Sequence, residues 1–185
     1  SLEMIIDKFL DDVFLLKNNT FFDDRGFFFE SFNSNFLEVT NIKNPFVQDN
    51  ISFSKEKFTL RGLHYQKGKY KQAKLIFLIS GSIFDVFVDA RPNSKNFGQY
   101  GFVKLNNPGD SIYVPRGYLH GFCTLEENTT IGYKVDNFYN KDSELNVLWN
   151  DHDLKIDWGL FDTKPIISEK DNNAMTWQSF NKEII

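Results

Sequence analysis

The strongest constraint on the fold is a succession of short segments rich in β-branched and aromatic residues, which Gly, Pro, Asn and Asp turns separate between residues 26 and 135. Many short strands at such close spacing favour a sandwich or barrel over alternating strands and helices. We therefore predict an all-β fold, with helical spacing only at residues 33–39. The clearest predicted strands are residues 75–79, 82–89, 100–105, 111–114, 121–124 and 129–135.

The remaining 137–185 region is polar and acidic but contains Trp149 and Trp158. We predict that this tail wraps over the barrel as irregular segments and short helices. No Pro/Gly/Ser-rich linker divides the chain, so residues 4–185 are expected to form one domain. Ser1 to Glu3 precede Met4, and we expect Met4 to be the native start and the three residues before it to be left over from cloning.

The composition argues against two classes of partner, nucleic acids and membranes. A net charge of -4 without a dense run of lysines argues against nucleic acid, although a local basic pocket could still bind a small anion. No apolar run approaches the roughly 20 residues of a membrane-spanning helix, so no membrane partner is expected. Cys123 is the single cysteine and fits a reducing compartment. We expect a cytoplasmic protein.

Residues 48–54 alternate between polar and apolar side chains, as a half-buried strand does. Gln48, Asn50, Ser52 and Ser54 then share one face. That face either meets solvent or forms a polar wall inside a ligand-binding barrel, and the spacing leaves both possibilities open.

Two of the three histidines, His64 and His120, follow a glycine closely and adjoin aromatic or apolar residues. An imidazole can take or give a proton near neutral pH, so both are candidates for acid/base chemistry. The spacing of Gly109, Pro115, Gly117 and His120 resembles the second signature motif of the cupin superfamily. This resemblance implies a cupin-type jelly-roll β-barrel in which the histidine turns into the cavity.

A metal site is not expected. The first cupin motif would have a second histidine where this chain has Gln66, and His64 with His120 supplies two of the three or four ligands that Zn or Fe requires. His152 could be a third ligand, but its polar setting is more typical of an exposed side chain. We expect no metal and no cofactor, and keep a metal-dependent or merely sugar-binding cupin as an alternative.

Seven motifs together resemble the dTDP-4-dehydrorhamnose 3,5-epimerase family along nearly the whole chain. They are residues 24–30, 48–50, 60–66, 72–75, 84–86 with Asp89 and Arg91, 115–122 and 168–171. The resemblance implies a cofactor-independent isomerase that inverts C3, C5 or both in a nucleotide-diphospho-4-keto-6-deoxy sugar, as a step in surface polysaccharide precursor synthesis.

By this resemblance His64 is the base, Asp171 orients it, Tyr133 is the proton donor on the opposite face, and Lys74 stabilises the enolate. These roles are chemically coherent, because inversion beside a ketone needs a base, an acid and a cation near the oxygen. Read singly, however, Lys74 suggests an exposed strand end, Tyr133 a core residue, and Asp171 a solvated tail residue.

The resemblance also implies a set of substrate-binding residues: Arg25, Phe28, Glu30, Gln48, Asn50, Arg61, Gln72, His120 and Tyr139. The forked guanidinium groups suit a diphosphate. For Arg61, a buried ion pair with Asp85 or Asp89 is an open alternative. The family further implies a homodimer with strands shared across the interface.

Two departures from the family pattern leave the substrate open. Phe138 precedes Tyr139 where two tyrosines are usual, and Tyr118-Leu119 replaces Phe-Ala before His120. The nucleotide could be dTDP or GDP, and the sugar a hexose or a heptose. A 3,4-ketoisomerase, which would share the histidine base, also remains an alternative.

Overall fold

The computed structural model describes residues 4–185, so the expectation about Ser1 to Glu3 lies outside the described residues. The strands are β1 (Met4–Phe9), β2 (Val13–Lys17), β3 (Thr20–Asp23), β4 (Gly26–Phe29), β5 (Gln48–Ser54), β6 (Leu60–Gln66), β7 (Lys74–Ser80), β8 (Ile83–Asp89), β9 (Tyr100–Leu105), β10 (Asp110–Val114), β11 (Tyr118–Thr124), β12 (Thr129–Val135) and β13 (Glu144–Asn146). The helices are α1 (Asn35–Val39), α2 (Glu169–Asn172) and α3 (Trp177–Ile184), with 3₁₀ turns at Gly68–Tyr70 and Lys141–Ser143. Among residues 4–185, no helix has the length and apolar character needed to cross a membrane.

Most strands belong to two antiparallel sheets that face each other. One has six strands in the order β1-β2-β10-β7-β12-β5, and the other has five in the order β13-β6-β11-β8-β9. Strands β3 and β4 form a separate hairpin. Both sheets are built from strands distant in sequence, as in a jelly roll. The predicted all-β jelly-roll barrel is confirmed.

The six predicted strands are present with small differences at their ends. The largest difference is in β11, which begins at Tyr118 rather than at Gly121. Gly117 makes the preceding turn with a φ of 90°, a conformation that glycine adopts without strain. The chain therefore re-enters the sheet directly after this turn, and both Tyr118 and His120 lie on the strand.

One of the hydrophobic core clusters lies between the two sheets. Ile76 and Ile112 from the six-stranded sheet pack in one buried cluster with Phe87 and Phe122 from the five-stranded sheet. Removing this apolar surface from water is the dominant force that holds the sheets together. The same cluster includes Ile131 and is flanked by Tyr133, so the core ends where the cavity begins.

The tail covers the outer face of the five-stranded sheet. Trp158, Trp177 and Phe180 pack there against Leu63 and Val86. Phe180 is fully buried, with its ring centre 5.0 Å from that of Tyr65. The prediction that the tail wraps over the barrel as irregular segments and short helices is confirmed.

Gly62 allows β6 and β11 to approach closely. A Cβ atom at this position would lie 2.6 Å from Cα of Gly121, and the φ of Gly62 is 137°. A larger residue would therefore push the two strands apart. This close approach accompanies the register in which His64 lies directly opposite His120.

We predict that Phe180→Ala lowers the free energy of unfolding by about 3 to 5 kcal/mol, because it leaves a cavity beneath the tail. The matched control is Phe161→Ala, since Phe161 is 99% exposed, and it should change stability by less than about 0.5 kcal/mol. Urea unfolding of both variants measures the difference. Equal losses would show that the tail does not pack as described.

Candidate active site

A cavity opens between the two sheets and has two lobes. The first lobe has a volume of about 420 Å³ and is lined by Ile51, Ser52, Phe53, Arg61, His64, Lys74, His120, Phe122, Ile131 and Tyr133. The second has a volume of about 400 Å³ and is lined by Gln48, Asn50, His64, Tyr65, Gln66, Gln72, Lys74, Tyr133, Tyr139, Glu144 and Lys170. His64, Lys74 and Tyr133 line both lobes and so lie at their junction.

His64 is held by Asp171. Its Nε2 atom lies 2.8 Å from Oδ1 of Asp171, whose Oδ2 accepts a hydrogen bond of 3.1 Å from the backbone N–H of Gly62. Ser168 caps α2 and accepts a hydrogen bond from the Asp171 backbone N–H. An ionised carboxylate can only accept hydrogen bonds, so Nε2 carries the proton and Nδ1 keeps its lone pair. That lone pair makes Nδ1 the basic atom.

Asp171 is 4% exposed, so the solvated position suggested by its polar neighbours is wrong. Burial alone would raise the pKa of Asp171. The hydrogen bonds from His64 and Gly62 outweigh this effect and hold the pKa below its ordinary value. Asp171 therefore stays ionised and can stabilise a positive imidazolium.

Tyr133 lies on β12, in the opposite sheet from His64, and lines the same lobes. Burial raises the pKa of Tyr133, although Arg61 and Asn50 act in the opposite direction. The phenol is therefore protonated at neutral pH and can donate. A base and an acid thus reach one cavity from two facing sheets.

Lys74 is the cation at the junction rather than an exposed strand end. Its ammonium nitrogen lies 6.0 Å from the centre of the Tyr133 ring. Burial lowers the pKa of Lys74 to about 8, while the charges of Asp85 and Glu144 raise it. At neutral pH the group is still mostly protonated and carries a positive charge.

His120 forms a second histidine–carboxylate pair. Its Nε2 atom lies 2.7 Å from Oδ2 of Asp85, and both residues are buried. Burial lowers the pKa of His120 and outweighs the opposite effect of Asp85. The neutral ring therefore donates from Nε2 to Asp85, as the ring of His64 does to Asp171.

Arg61 faces the first lobe. It donates to Oγ of Ser54 at 3.2 Å and to the carbonyl oxygen of Phe53 at 2.9 Å. Asp85 and Asp89 are bonded instead to His120 and Arg91. The alternative of a buried ion pair for Arg61 is therefore wrong.

The polar face of β5 forms the cavity wall. Gln48 and Asn50 line the second lobe and Ser52 lines the first, while the alternate residues Ile51 and Phe53 border the first lobe and are 67% and 55% exposed. Of the two possibilities that spacing left open, the inward polar face is correct. Gln48 accepts a hydrogen bond from the Tyr139 backbone N–H, and Gln72 donates to the carbonyl of Asn137, so the second lobe is tied to the segment after β12.

Three expected site residues lie outside this cavity in a single copy of the chain. Arg25 and Phe28 are on the β3–β4 hairpin, where Arg25 bonds to Asp23 and its side chain is 90% exposed. Phe28 is 70% exposed. Glu30 follows the hairpin and accepts a hydrogen bond from Asn33.

Two charged residues of the second lobe were not predicted. Glu144 accepts hydrogen bonds from Lys170 at 2.8 Å and from the Tyr139 hydroxyl at 3.0 Å. Lys170 stood within a recognised motif but received no role. Glu144 reaches the cavity because β13 pairs with β6, which places Glu144 opposite Gln66. No local sequence pattern predicts this long-range contact.

Within residues 4–185, no group of three or more His, Cys, Asp and Glu side chains could hold a metal ion. His152, considered as a third ligand, is exposed.

Sequence comparison places the chain in a family. Residues 7–179 match the family described as dTDP-4-dehydrorhamnose 3,5-epimerase. The chain belongs to this epimerase family. A relative with that name from Escherichia coli K12 is 42% identical over 173 residues, covering 90% of each chain.

Solved structures of family members have the same fold. The enzyme from Bacillus anthracis, with TDP and PPi bound, has a TM-score of 0.88 and 43% identity, covering 95% of this chain and 99% of that one. A 3,5-epimerase from Legionella pneumophila, in complex with dTDP-4-keto-L-rhamnose, has a TM-score of 0.90 and 36% identity, covering 98% and 96%. The cupin-type architecture and the isomerase class are thus those of the family.

We predict that Asp171 makes stability depend on pH. Its pKa is lower in the folded chain than the value of about 3.9 in an unfolded one. This stabilisation is present above the unfolded pKa and is lost as pH falls through the folded pKa. Between about pH 6 and pH 3, wild type should therefore lose more stability than Asp171→Asn.

Urea unfolding at several pH values measures this difference. Asp162→Asn is the control, because Asp162 is exposed and should leave the wild-type slope unchanged. A slope for Asp171→Asn equal to that of wild type would show that the carboxylate is not stabilised by its partners.

Proposed function

We propose that the protein epimerises a dTDP-4-keto-6-deoxy sugar at C3, C5 or both, through an enolate and without a cofactor. One observation carries the proposal: His64 and Tyr133 enter the same cavity from opposite sheets, and Lys74 lies at the junction beside them. Family membership supports the dTDP-sugar substrate, since the relatives named above are dTDP-sugar epimerases.

The chemistry follows from the C4 ketone. The ketone acidifies the C–H bonds at C3 and C5, because the electron pair left by deprotonation delocalises onto its oxygen. We assign proton removal to Nδ1 of His64, with Asp171 stabilising the imidazolium that forms. Tyr133 then delivers a proton to the opposite face of the same carbon, and its inversion follows.

The enolate oxygen needs a positive partner. Lys74 supplies it in a cavity that protein surrounds, where losing one such interaction typically costs about 3 to 4 kcal/mol. Base, acid and cation all come from the chain, so the reaction needs no added redox or group-transfer cofactor.

The two lobes suggest how the substrate lies. We assign the sugar to the first lobe, with His120 and Arg61, and the nucleotide to the second, with Gln48, Asn50, Gln72 and Tyr139. Lys170 and Glu144 stand at the second lobe, and Lys170 offers a cation to the diphosphate. Tyr139 is 55% exposed and offers a flat face to a base.

The alternatives account for fewer of these features. A 3,4-ketoisomerase would use the histidine base but would not need the opposed phenol of Tyr133. A GDP-linked heptose has no support among the relatives described. A metal-dependent cupin would need a ligand set that His64 and His120 do not complete.

We also propose that the protein acts as a homodimer in which each hairpin completes the partner's cavity. Three apolar side chains of the chain, Val47, Ile51 and Phe53, are 45%, 67% and 55% exposed beside or on β5, an edge strand. An uncovered apolar edge favours association with another chain. Arg25, Phe28 and Glu30, remote from their own cavity, would then reach that of the second copy.

The proposed setting is the synthesis of surface polysaccharide precursors in the cytoplasm. A 4-keto-6-deoxy sugar attached to dTDP is an activated precursor, which supports a role in the synthesis of polysaccharide precursors. The free and buried Cys123 is compatible with a reducing compartment.

The proposed chemistry predicts deuterium exchange. In D2O, with dTDP-4-keto-6-deoxyglucose and no added cofactor, wild type should introduce deuterium at C3, C5 or both, as followed by proton NMR. His64→Asn should slow this exchange by about 10² to 10⁴-fold, because it removes the base. Exchange at the wild-type rate in this variant would exclude His64 as the sole base.

Tyr133→Phe is the matched variant in the same experiment. It removes only the donor hydroxyl, so deprotonation and exchange should continue while the inverted product forms much more slowly. If exchange and inversion fall together, a donor on the opposite face is excluded. The positions that carry deuterium also reveal how many centres are inverted.

The dimer predicts complementation between inactive variants. His64→Asn and Arg25→Ala should each be nearly inactive alone, whereas unfolding and refolding them together should restore about a quarter of wild-type activity, since half of the dimers then contain one complete site. The His64→Asn subunit supplies Arg25 to the intact His64 of its partner. No recovery, with mixed dimers present by mass spectrometry, would contradict a hairpin that acts in trans.

A further inference from the structure

Asp85 is a fully buried carboxylate whose two oxygens have different surroundings. Oδ2 lies 2.7 Å from Nε2 of His120, while Oδ1 has no hydrogen-bond partner among the described residues. Burying an ionised carboxylate costs free energy unless it is compensated by charge or hydrogen bonds. Its one hydrogen-bonded partner is a neutral imidazole, so the compensation must come from another group.

That other group is Lys74. The Lys74 ammonium forms no hydrogen bond or ion pair with a side chain in the described part of the chain, and it lines the first lobe with His120. Asp85 is the largest electrostatic influence that favours its charged form. His120 therefore links a fully buried anion on β8 to a cation on β7: Asp85 bonds to its ring, and Lys74 lines the first lobe beside it.

We infer that Asp85 is a positioning residue, which keeps the ammonium of Lys74 charged for the enolate and fixes His120 in its Nε2-protonated form. The inference rests on the proposed epimerase function, since the charge of Lys74 matters only if negative charge develops beside it. Asp85 itself lines neither lobe and meets the cavity only through its bond to His120.

The charge on Lys74 is sensitive to its surroundings, because the pKa of Lys74 lies close to neutral pH. Burial lowers the pKa of Lys74 to about 8, and this value already includes the favourable effects of Asp85 and Glu144. Removing the charge of Asp85 lowers the pKa further, so Lys74 would lose its proton within the neutral range. Other titratable or charged groups around Lys74 at the two lobes are His64, His120, Tyr133, Arg61, Tyr139, Glu144 and Lys170.

The test compares Asp85→Asn with wild type by the pH dependence of kcat/KM for the deuterium-exchange reaction. Activity that needs a protonated Lys74 is lost as pH rises through its pKa, so the variant should lose it at lower pH. If the pKa of Lys74 falls by about one unit, the variant should lie about fivefold further below wild type near pH 8 than near pH 6. Glu38→Gln, at an exposed position, should follow the wild-type profile.

Lys74→Arg separates this role from a purely structural one. Arginine keeps its charge at every pH used, so Lys74→Arg should lack the alkaline loss near pH 8, and adding Asp85→Asn to it should not move the profile. An unchanged alkaline limb in Asp85→Asn, or the same shift in the Lys74→Arg background, would overturn the inference.

Failure of folding and failure of the proposed function are both recognisable. Circular dichroism identifies a variant that does not fold, and Asp85→Ser, which leaves room for a water, then replaces Asp85→Asn. If neither Asp85 variant folds, the test rests on Lys74→Arg. A loss of activity at alkaline pH that is the same in Lys74→Arg as in wild type would then overturn the inference. If wild type exchanges no deuterium at any pH, that result refutes the epimerase function itself.

Discussion

The hydrogen bond of 2.8 Å between His64 and Asp171 determines which nitrogen of the imidazole is basic, and the chemistry assigned to the cavity depends on it. The two residues are separated by 107 positions in the chain. Asp171 reaches His64 because the tail packs Trp177 and Phe180 onto the outer face of the five-stranded sheet. The aromatic packing of the tail is therefore also what holds the base in one tautomer. Stability and the proposed catalysis share these contacts.

The second requirement is a pair of opposed faces. A jelly roll provides them, because its two sheets face each other across a cavity into which His64 projects from one sheet and Tyr133 from the other. The same geometry explains the polarity of β5, whose polar residues line the cavity while Ile51 and Phe53 border the first lobe and stay largely exposed. Such a strand is consistent with the proposed ligand on its polar face and the proposed dimer contact at its apolar residues.

Local patterns in the sequence predicted β5 and β7 to β12 well, because alternation and tight turns are properties of neighbouring residues, but they did not single out β1 to β3, β6 or β13. They could not decide which face of β5 points inward, since alternation is the same for either orientation. Asp171 looked solvated for a similar reason: its neighbours are polar, and its burial comes from a sheet far away in sequence. Glu144 had no local signal at all, because a three-residue strand acquires its position by pairing with β6. The family resemblance supplied such long-range information for Asp171 but not for Glu144. It also named Arg25 and Phe28, which one copy of the chain does not bring to the cavity.

The most direct test of the account is the tautomer of His64, observed by two-bond ¹⁵N–¹H NMR correlation in the enzyme labelled at histidine. His64→Asn identifies the resonances by their loss. The account predicts that Nε2 carries the proton and that Nδ1 has the chemical shift of an unprotonated, basic nitrogen. A proton on Nδ1 of the neutral ring, with Nε2 unprotonated, would contradict the assigned bond to Asp171 and the catalytic role derived from it.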